Sequence, residues 1–167
     1  MKDMRQVEFV PFRFTDIVEI YSIRIDNKET TEFQEFMINF KNTDSVHLAD
    51  DLSNILKSIS HMFNEGIKEF YFRPEGKMKD RICALPIYTT PRKKNKNGTL
   101  RLYCIRISDK LLILGGGGEK TTQTYEEDEI LSNKVQLLQS IDKELRKFEE
   151  NGIDLHKELN NLTISIQ

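Results

Sequence analysis

Residues Leu100 to Tyr125 read LRLYCIRISDKLLILGGGGEKTTQTY. Two strongly apolar runs, LRLYCIRIS and KLLIL, flank a short turn, and the second ends in four consecutive glycines followed by Glu-Lys-Thr-Thr. Runs this apolar on both faces fit the buried middle of a sheet rather than a half-solvated edge. Glycines at a strand end would leave bare backbone N–H groups that a phosphate could approach, and a bulge or a close backbone crossing is the plainer reading.

Upstream, TTPRKKNKNG holds Arg92, Lys93, Lys94 and Lys96 before an Asn97-Gly98 turn signal, which predicts an exposed hairpin loop and a candidate nucleic-acid contact. Before it, RICALPIY (81–88) predicts a strand that Pro86 must interrupt or push to an edge, and KEFYFR (68–73) predicts another. Leu48, Leu52, Ile55, Leu56, Ile59, Met62 and Phe63 form one helical stripe starting after Asp44 or Ser45 and stopping at Gly66. Thr31 and Gln34 form a capping box for a short helix ending near Lys41. The chain opens with two predicted strands, 7–14 and 17–25.

Downstream, Thr124 and Glu127 read as a second capping box. Leu131, Val135, Leu138, Ile141, Leu145 and Phe148 carry a stripe to Asn151-Gly152, and LTISI reads as a last strand. Together these predict a single α+β domain: a mainly antiparallel β-sheet with helices packed on it.

At 167 residues the chain can bury roughly 70% of its unfolded surface without a disulfide or metal. Cys83 and Cys104 sit inside apolar strands and read as small core hydrophobes; His47, His61 and His156 are too scattered for a metal site, and no cofactor is expected. The first ten residues lack a signal-peptide pattern and no apolar run approaches the ~20 residues of a membrane span, so we expect a cytoplasmic protein with no membrane association. The net charge of −2 conceals a segregation: residues 71–120 carry +8, and the segments on either side −5 each. Either the middle third builds one positive face suited to a polyanion, or the flanks fold back and neutralise it. Strand alternation puts Arg101 on the side of Tyr103 and turns Arg106 to the other, so the cations cannot all share one site. GGGGEKT places Lys120 two positions past the last glycine, a spacing that does not fit a mononucleotide loop.

Helices leading into an antiparallel sheet, the arginine-bearing LRLYCIRI strand, KLLIL after a tight turn, then EKTTQTYEEDEI before a helix together resemble RelE/HigB-type toxins of bacterial toxin-antitoxin systems. The likeness spans residues 46–150 as a RelE-like core, its specific part 81–130, with residues 1–45 as an N-terminal extension and 151–167 as a tail strand. The resemblance implies a ribosome-dependent mRNA endonuclease that needs no metal, controlled by a cognate helix-turn-helix antitoxin. Arg81, Arg101 and Lys120 would stabilise the phosphate and Tyr125 would carry a proton or stack on a base. The long N-terminal extension, the glycine run and the acidic overall balance depart from that pattern and keep open a second reading, a non-catalytic protein that uses a toxin-like fold to hold a protein or nucleic-acid partner. Dimerisation through an exposed sheet edge or the C-terminal helix is compatible with either.

Overall fold

A computed structural model describes residues 4–76, 80–87, 98–121 and 128–167. Seven strands form one sheet in the order β3 (Arg73–Pro74), β4 (Ile82–Leu85), β5 (Thr99–Arg106), β6 (Leu111–Lys120), β2 (Glu19–Ile25), β1 (Arg5–Phe14), β7 (Thr163–Ile166). Every pairing is antiparallel except β2 with β6. The α+β class and the mainly antiparallel sheet are as expected; the parallel seam in its middle was not foreseen.

Helices α1 (Glu32–Phe40) and α2 (Val46–Glu65) cover one face, and α3 (Glu129–Glu150) with the single turn α4 (Leu155–Glu158) covers the other. Strand alternation sorts the side chains between two cores. Leu100, Leu102 and Cys104 join Phe36, Ile55 and Met62 on the α1/α2 face, while Tyr103 and Ile105 join Leu138, Ile141 and Leu145 on the α3 face. None of the described helices is long and apolar enough to cross a membrane.

The local signals act as read. Thr31 and Gln34 close a reciprocal capping box, and Ser45 Oγ accepts the Leu48 N–H at 3.3 Å to start α2. Gly66 ends α2 with φ +94°, and Asn151-Gly152 ends α3. Asp128 caps α3, its Oδ1 accepting the Leu131 N–H at 3.1 Å; the Thr124/Glu127 box lies outside the described residues.

Two expectations need correcting. KEFYFR is not a strand: Glu69–Tyr71 form a 3₁₀ turn and only Arg73–Pro74 pair with β4. Its alternation was misleading because Tyr71 and Phe72, adjacent in sequence, are both buried and Phe70 is exposed. The glycines are also not a bare strand end: β6 runs through all four, with Gly117 opposite Leu102 and Gly118 opposite Arg101. A bulge falls there, since Cys104 pairs with Leu114 rather than the next residue in register. A Cβ at Gly117 would land on the Arg101 carbonyl oxygen, so the close backbone crossing anticipated from the sequence is present.

The same stretch lets the two helical layers meet. Ser22, at the last β2–β6 pairing, bonds through Oγ to the Leu114 carbonyl at 3.3 Å and to the Phe33 N–H at 3.4 Å, which fixes the start of α1 there. Lys134 of α3 lies against Gly116 and reaches Glu32 of α1 at 3.0 Å.

Candidate functional site

The cations of the middle third separate in space. Arg81 grips α3: its Nε and one terminal nitrogen are each 2.8 Å from Asp142 Oδ1, and that nitrogen is also 2.8 Å from Glu149. Its backbone N–H donates to Asp142 Oδ2 at 3.3 Å. Asp142 is buried, so this is a fixed structural pair. Arg106 points to the opposite face, as alternation required, and is held by the Ile67 carbonyl at 2.9 Å and Glu69 at 3.4 Å. For these two arginines the acidic flanks do fold back.

A different set gathers on the α3 side of the β3–β4–β5 corner. Arg73 pairs with Ala84, which pairs with Tyr103; Arg101 lies two residues from Tyr103; Lys120 pairs with Thr99. Partners across an antiparallel ladder and residues two apart share a face, so Arg73, Arg101, Tyr103 and Lys120 project to one side. Glu75 stands among them. Burial pushes its carboxyl above the ordinary value, and the charges of Lys120, Arg73 and Arg101 only partly offset that. Arg101 is 3% exposed; burial, then the like charge of Arg73, lowers its pKa, while Glu75, Tyr103 and Asp51 oppose the shift.

The Arg101 position follows from Pro86. Even-numbered residues of β5 turn their backbone groups toward β4, as the bond from the Arg106 N–H to the Arg81 carbonyl shows. Because β4 stops at Leu85, Leu100 faces no strand partner. Two side chains replace it: the Leu100 N–H donates to Asp51 Oδ2 at 2.9 Å, and Arg101 Nη1 donates to the Leu100 carbonyl at 3.1 Å. Arg101 Nε has no hydrogen-bond partner among the described residues.

Of the residues nominated from sequence, Arg101 and Lys120 come together, and Arg81 belongs to the α3 ion pair. Tyr125 and the loop cations Arg92, Lys93, Lys94 and Lys96 lie outside the described residues. Glu75 and Asp51 were missed. The Pro86 ladder break was a usable signal for Asp51, whereas nothing local marks Glu75, which reaches the site only through the β3 pairing.

A second constellation sits at the β5–β6 turn. Ser108 Oγ is 2.8 Å from His156 Nε2, and His156 Nδ1 is 3.3 Å from Asp154 Oδ1. This is the order of a Ser-His-Asp relay, but His156 and Asp154 are about half exposed, at 45% and 51%. Water there screens the dipoles that make such a relay effective. Asp154 also caps α4 through the His156 N–H at 3.0 Å, and the set tethers the turn to the C-terminal segment.

Cys83 and Cys104 face each other across β4 and β5 as free, buried thiols; burial pushes Cys83 up to about 12 and Cys104 well above its usual value. No protein-family model, curated protein or solved structure matches the chain.

Proposed function

We propose that this chain is a RelE/HigB-like toxin, a cytoplasmic, ribosome-dependent mRNA endonuclease that works without a metal and is held in check by a helix-turn-helix antitoxin. The observation that carries this reading is the accumulation of Arg73, Arg101 and Lys120 around Glu75, three cations beside a partly buried acid. Arg73 and Lys120, both half-buried, would touch the scissile phosphate, and Arg101 would reinforce the field from behind. Glu75 would take the ribose 2′-hydroxyl proton as that oxygen attacks the adjacent phosphorus and the P–O5′ bond breaks, leaving a 2′,3′-cyclic phosphate and a 5′-oxygen that takes a proton from water. A carboxyl whose pKa burial has raised is a better base for this than a surface glutamate. Arg81, committed to Asp142 and Glu149, has no part in this scheme.

The second reading, a non-catalytic interaction protein, draws support from the 3% exposure of Arg101 and the neutralisation of Arg81. Controlled expression and cleavage assays on programmed ribosomes separate the two. The toxin reading predicts growth arrest and cleavage by the wild type, with cleavage falling by roughly a hundredfold in Arg73→Ala/Lys120→Ala. Harmless expression without cleavage establishes the second reading, and undiminished cleavage by the double variant removes the site.

A further inference from the structure

A shallow groove of about 430 Å³ runs between α1 and α2 on their outer side. Its floor is Phe40, Leu52 and Leu56, its charged rim is Lys41 and Lys57, and no carboxylate lines it. Leu56 is 37% exposed, and neither lysine forms an ion pair among the described residues. An apolar floor between unpaired cations calls for an apolar knob carrying negative charge. The chain presents one on the opposite side of the sheet. Ile130, in the first turn of α3, is 66% exposed and directly follows Asp128 and Glu129, neither of which forms an ion pair among the described residues.

We propose that the groove receives a second copy of this chain, with Ile130 seated over Phe40 and Leu56 and the Asp128–Glu129 pair beside Lys41 and Lys57. Because groove and knob lie on opposite faces of the sheet, a molecule cannot satisfy its own groove. The contact is head-to-tail, and it builds open rows unless its rotation closes a ring. With a small apolar centre and charged rims it is weak and salt-sensitive. The inference does not depend on the nuclease reading.

Sedimentation velocity of the full chain from low to high micromolar concentration tests it. Mass should rise with concentration at low salt and fall back at high salt. Ile130→Glu should weaken association roughly tenfold or more by removing the knob. Lys57→Glu should weaken it as well, and Glu129→Lys added to Lys57→Glu should restore it. Circular dichroism of each variant confirms folding. A monomer at every concentration overturns the proposal. So does association that ignores Ile130→Glu, or that is abolished by Ile17→Glu at the β1–β2 turn, where Ile17 is a second exposed apolar side chain close to acids.

Discussion

A buried guanidinium is costly unless its donors are used, and Arg101 uses one of them on the Leu100 carbonyl while Arg73 repels it. Asp51 is the more critical partner at Leu100: Asp51→Ala leaves the buried Leu100 N–H without its acceptor. We expect a loss of about 2 kcal/mol, a fall of roughly 4–8 °C in melting temperature. Arg101→Leu removes a charge that the fold already disfavours and should cost less than Asp51→Ala in the same melts. Glu75 gives a pH test. Its folded pKa is raised, so the ionised form is penalised in the native state, and stability falls as pH climbs from the ordinary carboxylate value through the folded one. Glu75→Gln escapes that penalty. It should gain stability over the wild type at pH 7 and lose the advantage near pH 4. The opposite ordering in paired thermal melts would mean that the three cations outweigh burial.

At the level of elements, β6 depends on having no side chain where it crosses β5. Gly117→Ala drives a Cβ into the Arg101 carbonyl and should destabilise by about 3 kcal/mol or more or shift the register. Gly152→Ala has free space but a φ of +85° and should cost about 1 kcal/mol. Chemical denaturation of both variants checks the ranking. The same elements show how far the sequence could be read. Caps and stripes identified α1, α2 and α3 because helix signals are local, and Pro86 marked the end of β4 for the same reason. The glycine run was misplaced at a strand end because its partner, the backbone of β5, is a tertiary feature. KEFYFR misled because aromatic residues suit a strand and a buried turn equally. The gathering of Glu75 with Arg101 required the β3–β4–β5 registers, which no residue pattern encodes.

Across the whole molecule, one sheet between two helical layers makes two cores, and the basic third divides between them and their margins. Arg81 and Arg106 are neutralised by the flanking thirds, while Arg73, Arg101 and Lys120 gather separately around Glu75. The cysteines belong to the protected interior. Cys83 and Cys104 should resist a thiol reagent at pH 8 in the native protein and react fully after unfolding, because burial keeps both protonated. The central claim is that the corner holds RNA phosphate. It is tested most directly by the affinity of a fluorescent single-stranded RNA measured across a salt series for the wild type and Arg73→Ala/Lys120→Ala. The account predicts weaker binding by the double variant and a log–log salt slope shallower by about 1.4, two phosphate contacts at ~0.7 each. Equal affinity and equal slope for the two proteins would contradict it.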